Sequence, residues 1–193
     1  MQRVAVFCGS KTGADPRYRE SAAAMGRLLV QRNCGLVFGG GSVGLMGVVS
    51  DAFLEAGGEV IGVIPQSLAT KELLHTEVPD MRVVASMHDR KALMAELSDA
   101  FIALPGGFGT FEELFEVITW AQLGIHTKSV GLLNVGGFFD PPLRLIDHAI
   151  QERFITPKHR ELFVVEERPD VLLEQLDRHR LPEVRKWLGP EEG

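Results

Sequence analysis

Short Val/Ile-rich runs recur along the chain, each ending in glycine or a small polar residue, with helical periodicity between them. This alternation restricts the chain to βαβ units. Strands are predicted at 3–8, 35–38, 59–64, 81–85, 99–104, 129–134 and 162–166, and helices at 15–33, 44–57, 87–97, 110–124, 140–153 and 169–179, with a short one near 182–188. The strands are nearly continuous in apolar residues, so both sheet faces must be covered. Right-handed crossovers then give an α/β fold, a doubly wound, mainly parallel sheet flanked by helices. With 193 residues, 45% hydrophobic and 24% charged, the chain is long enough to bury a core of its own. No repeat or linker divides it, so one domain is expected over 1–188, with a flexible tail at 189–193.

The net charge of −6 argues against a nucleic-acid partner. The apolar runs are strand-sized and the first residues lack a signal-peptide pattern, so a cytoplasmic protein without a membrane partner is expected. Cys8 and Cys34 fall at opposite ends of neighbouring predicted strands, about 15 Å apart at ~3.3 Å per residue, too far for a disulfide. The six histidines show no metal-ligand spacing, and no metal is expected.

Ligands of such a sheet bind beyond the carboxyl ends of its strands, and three glycine-rich turns fall there. The first, Cys8 to Gly13, includes Ser10 and reads equally as a tight turn. The second, Gly39 to Gly47, includes Gly41 and contains a literal G-x-G-x-x-G. A dinucleotide site would place that motif after the first strand, with an acidic residue closing the next, yet Glu59 opens its strand. The third turn, Pro105-Gly106-Gly107-Phe108-Gly109-Thr110, precedes a helix. Thr110-x-x-Glu113 is a capping-box pattern, which is one reading of Glu113. It leaves the three glycines unexplained, where backbone amides and a positive helix end would gather a phosphate.

On that helix, Phe111, Leu114, Phe115, Ile118 and Ala121 share the predicted core arc. The other arc carries Glu112, Glu113, Glu116 and Thr119, together with Trp120 and Leu123, two apolar groups that suggest a partner surface or pocket wall. On the preceding helix, Arg90 falls among Met87, Leu93, Met94 and Leu97, the predicted buried arc. A guanidinium there either snorkels past the helix edge or is paired, by a carboxylate or an anionic ligand. Lys91 lies toward the edge of the same arc.

Taken together, FCGS at 7–10, GGGSVGLMG at 39–47, KEL at 71–73, MHDRK at 87–91, PGGFGTFEE at 105–113 and ITWAQLGIHTK at 118–128 resemble the Lonely Guy family. These are cytokinin-activating nucleoside 5′-monophosphate phosphoribohydrolases, formerly labelled possible lysine decarboxylases. The resemblance covers most of the chain. It implies hydrolysis of the N-glycosidic bond of adenosine monophosphate or an N6-modified form, without a cofactor, by a modified Rossmann fold in a homodimer or higher homo-oligomer. By the same matching, Arg90 and Glu113 are the catalytic pair. Gly107 to Glu113, including Phe108, Gly109, Thr110 and Glu112, cradle the nucleotide next to Gly106, and Glu72, Lys91 and Thr119 are binding positions. Ser10 and Gly41 join them from the other two turns.

Two other readings compete. A nucleotide- or molybdenum-cofactor-binding carrier would need the phosphate cradle but no turnover, and Arg90 with Glu113 favours the enzyme. A pyridoxal-dependent decarboxylase would need a Schiff-base lysine and a partner for the ring nitrogen. Lys91 is the only lysine in a plausible place, and nothing supplies the rest.

Overall fold

The computed structural model describes residues 1–70 and 73–182. Among the described residues, seven strands join one sheet: β1 (Arg3–Phe7), β2 (Gly35–Phe38), β3 (Val60–Pro65), β4 (Asp80–Val84), β5 (Ala100–Ala103), β6 (Ser129–Leu133) and β7 (Phe163–Glu166). Their order is β4-β3-β2-β1-β5-β6-β7, and every pairing is parallel. The order reverses between β1 and β5, so the loops after these two strands part and leave a crevice. Every predicted strand is present within a residue or two of its expected bounds. The helix expected near 182–188 and the tail lie outside the described residues.

Among the described residues, six α-helices cover the sheet: α1 (Pro16–Gln31), α2 (Gly44–Glu55), α3 (Met87–Leu97), α4 (Phe108–Gln122), α5 (Asp140–Gln151) and α6 (Pro169–Arg178). Local chemistry fixes several starts. Asp15 caps α1 by accepting from the Arg17 amide at 2.9 Å, with Pro16 in the first turn. Ser86 caps α3 by accepting from the Asp89 amide at 3.1 Å. The core splits into two layers, one on each face of the sheet. Met25, Leu29, Val49, Phe53, Leu172 and Leu176 of α1, α2 and α6 pack on one. Met94, Leu114, Val117, Ala121 and Ile146 of α3, α4 and α5 pack on the other. Glu59 stands just before β3 and pairs with Arg3 at 2.8 Å, at the amino end of the sheet and far from any ligand edge.

Three sequence expectations change here. First, α4 begins at Phe108, with Gly107 as its N-cap and no side-chain cap. Thr110 and Glu113 therefore both lie inside the helix, and no capping box forms. Second, the buried stripe of α4 is Thr110, Glu113, Leu114, Val117 and Ala121. Phe115 is exposed, and Phe111 and Ile118 are only half-buried. The stripe is rotated because Glu113 turns inward. Third, on α3, Arg90 and Met94 are buried and Leu93 and Leu97 half-buried, but Met87 is exposed at a cleft.

Candidate active site

The loops after β1, β2, β3 and β5 surround a cleft of about 400 Å³ at the carboxyl edge of the sheet. It brings together Ser10, Gly41, Arg90 and the 107–110 turn with Glu112 and Glu113. Gly106 lines an adjoining depression of about 300 Å³, at the switch between β1 and β5.

Arg90 and Glu113 are its centre. Each side chain is 10% exposed, and Arg90 Nη1 donates to Glu113 Oε1 at 2.5 Å. Arg90 Nε also donates to the Val63 carbonyl of β3 at 3.0 Å. The arginine thus ties α3 to β3 and α4, and the buried guanidinium expected from the sequence has found its carboxylate. Its other edge lies against the Gly39 backbone, where a Cβ would overlap Nη2. Only glycine lets the two meet. Burial pushes the Glu113 carboxyl above the ordinary carboxylate range, opposed by the charge and hydrogen bond of Arg90.

The glycines of the third turn divide by cause. A Cβ on Gly106 would overlap Thr110 Oγ1 and lie 2.8 Å from the Gly9 amide nitrogen, so the fold itself requires that glycine. Gly107 and Gly109 face open space, with nothing within 4 Å of a built Cβ. Neither has a positive φ, so neither backbone conformation nor a contact within the described residues requires glycine at these two positions. Between them Phe108 is 93% exposed. Here α4 presents its positive end and unpaired first amides without a capping side chain.

Two expected site residues stand apart. The Lys91 ammonium is clasped by Glu112 and by Glu116, the latter at 2.9 Å, and does not line the cleft. Thr119 is exposed and donates to the Phe115 carbonyl at 2.7 Å, about 16 Å along α4 from Phe108 at ~1.5 Å per residue. Glu72 lies outside the described residues. Conversely, Cys8, Met46, Leu68 and Leu73 line the cleft without having been singled out for it. Cys8 carried a positional signal, since it directly follows β1. Met46 lies in the quoted 39–47 turn and Leu73 in the quoted 71–73 motif, whereas Leu68 had no signal, because its placement depends on how distant loops meet.

A doubly wound sheet carrying a buried arginine–glutamate pair beside an uncapped glycine-rich helix start defines a Rossmann-like protein built to act on a small anionic ligand. The comparisons narrow the class. The family model described as "possible lysine decarboxylase" matches residues 46–176. The probable cytokinin riboside 5'-monophosphate phosphoribohydrolase LOGL6 of Oryza sativa subsp. japonica is 54% identical over 176 residues, 91% of this chain and 70% of that one. The cytokinin riboside 5'-monophosphate phosphoribohydrolase LOG3 of Arabidopsis thaliana is 53% identical over 178 residues, 92% and 83% of the two chains. The chain belongs to the Lonely Guy family. Among solved structures, the molybdenum cofactor binding protein of Rippkaea orientalis superposes with a TM-score of 0.70 over 92% of this chain and 96% of that one. At 21% identity it shares the fold alone.

Proposed function

We infer that the chain hydrolyses the N-glycosidic bond of adenosine 5′-monophosphate-type nucleotides, plain or N6-modified, releasing the base and ribose 5-phosphate. The observation that carries this reading is the meeting of Arg90 and Glu113 at 2.5 Å in the cleft that the glycine turn opens. The identity to named phosphoribohydrolases supports it.

The residues suit the reaction. As the C1′–N9 bond lengthens, its electrons pass to the base and positive charge grows on the ribose. An adjacent carboxylate stabilises such an oxocarbenium-like state. Glu113 also takes a proton from the water that attacks C1′, leaving a hydroxyl on the sugar; the departing base takes up a proton from solvent at nitrogen and Glu113 returns its own to solvent, so no net proton is consumed. Arg90 favours the ionised form of Glu113 against the effect of burial, and aims the carboxylate. The amides of 107–110 hold the 5′-phosphate, so binding energy remote from C1′ positions the ribose. Ser10, Gly41, Gly106 and Glu112 border the same ligand.

The lysine decarboxylase description and the carrier reading gain nothing from the site. Lys91 is held by two glutamates, and the resemblance to molybdenum-cofactor proteins is one of fold. The working unit is one domain over 1–188, supported by the single sheet that takes in every strand of the described residues. A homodimer or larger assembly is supported by Phe115, Leu123 and Ile125, apolar and exposed along α4 and just after it. In such an assembly Lys91 and Thr119 would reach a ligand only through a partner or after rearrangement. A cytoplasmic location fits two free, buried thiols. Among the described residues, no helix is long and apolar enough to cross a membrane.

Incubation with AMP, isopentenyl-AMP and adenosine, followed by assay of free base, tests the reading. Turnover of the monophosphates should greatly exceed that of adenosine. Equal rates on AMP and adenosine would remove the phosphate cradle, and no release from any nucleotide would remove the enzyme.

A further inference from the structure

The cleft lining combines two kinds of group. Arg90, Glu113 and the 107–110 turn supply backbone amides and charge, and Met46, Ile64, Leu68, Leu73 and Met87 supply an apolar part, here the apolar wall. Leu68 and Leu73 are left exposed there, in a loop that the sheet does not support directly.

What holds Leu73 is a set of bonds to the second glycine turn. The Ser42 amide donates to the Leu73 carbonyl at 2.9 Å, the His75 amide donates to the Gly40 carbonyl at 3.0 Å, and Gly41 and Leu74 form an isolated antiparallel bridge. The Leu73 and Leu74 amides both donate to the Thr70 carbonyl, which links them back toward Leu68. One side chain completes the attachment. His75 is buried, its Nε2 lies 2.9 Å from Asp51 Oδ1 of α2, and its ring meets Phe38 edge-on at 6.4 Å. A purely space-filling residue would pack there without any bond to α2. The histidine gives the loop one fixed direction relative to the helix that carries Met46.

We propose that His75, held by Asp51, is a positioning residue for the apolar wall, and that through Leu73 and Leu68 it determines how well the site accepts an apolar substituent on the base. The proposal rests on the phosphoribohydrolase reading. A plain adenine ring is held by the sugar and phosphate contacts, whereas an alkyl group extending past the ring needs the wall in place. Loosening His75 therefore penalises the substituted nucleotide selectively.

The test compares the parent with His75→Ala, Asp51→Ala and His75→Gln on AMP and on isopentenyl-AMP. Both alanine variants should raise KM for isopentenyl-AMP about 5- to 10-fold, with kcat and the KM for AMP within about 2-fold of the parent. His75→Gln, whose carboxamide nitrogen can still donate to Asp51, should restore the KM. An equal rise on both nucleotides, a loss confined to kcat, or no rescue by glutamine would overturn the proposal. Hydrogen exchange on the full chain gives a reading independent of activity. The Ser42 and His75 amides should lose protection in His75→Ala, and unchanged protection would show that the pair anchors nothing. If the parent releases no base from any nucleotide, the enzymatic reading and the proposal built on it fall together, while exchange still shows whether the anchor itself exists.

Discussion

Arg90 and Glu113 come from different helices and meet as a buried ion pair at 2.5 Å, with Arg90 also bonded to the Val63 carbonyl. Burying two charges costs more than a surface pair returns, and an apolar pair of similar volume would stabilise the fold as well or better. Retaining the ions in the lining of a cleft is therefore better explained by chemistry than by stability.

Replacing Glu113 with Gln separates the two. The carboxamide oxygen still accepts from Arg90 Nη1, so the fold keeps the bond and loses only its charge, at a cost of about 1–3 kcal/mol. The melting temperature should fall by roughly 3–10 °C and turnover by roughly 10²- to 10⁴-fold. A folded variant that hydrolyses AMP at the parent rate would show the pair to be structural.

The pH profile supplies a second test. Burial raises the Glu113 pKa, against the pull of Arg90, so the ionised form is depleted at a higher pH than for an exposed glutamate. If the carboxylate is the working form, kcat/KM must fall on the acid side, with its midpoint above the usual glutamate value of about 4.3. Glu113→Gln should flatten that limb in whatever activity remains. A parent profile flat down to the unfolding pH would remove Glu113 as the base.

The sheet was legible because strand periodicity is local: apolar runs closed by glycine survive in any tertiary context. Arg90 was legible too, since a cation on a buried arc demands a partner, and Glu113 is that partner. The Thr110-x-x-Glu113 pattern misled because a capping box marks a helix start only if the helix starts there, and the cap of α4 is Gly107, three residues before Thr110. Met87 was misplaced because the cleft removes the layer that would have covered it. The attachment of Leu73 and His75 to the second glycine turn joins residues about thirty positions apart, and no periodicity announces it.

Assembly gives a third expectation. Trp120 and Leu123 were expected to mark a partner surface. Trp120 is half-buried beside α3 residues, whereas Leu123 and Ile125 are 43% and 65% exposed. Covering such side chains is the usual source of association energy, at roughly 25 cal/mol per Å² of apolar surface. Sedimentation at micromolar concentration should find a dimer or larger, and Ile125→Asp should shift the distribution toward monomer. A parent that sediments as a monomer while fully active would contradict the assembly.

The sharpest separation of fold from function lies in the third glycine turn. Gly109 is inside α4, where alanine is a better helix former by about 0.5–1 kcal/mol, and a Cβ there would touch nothing within 4 Å. Gly109→Ala should leave the protein as stable as the parent or slightly more so. If the 107–110 amides hold the 5′-phosphate, the added methyl group stands where the phosphate must approach, and KM for AMP should rise by roughly 10-fold or more. Gly106→Ala makes the opposite demand. Its methyl group would collide with Thr110 and the Gly9 amide, so the loss should appear first in the melting temperature. Isothermal titration with AMP beside thermal melts of both variants reads the two effects separately. Parent-like affinity in Gly109→Ala would mean that the phosphate sits elsewhere in the cleft.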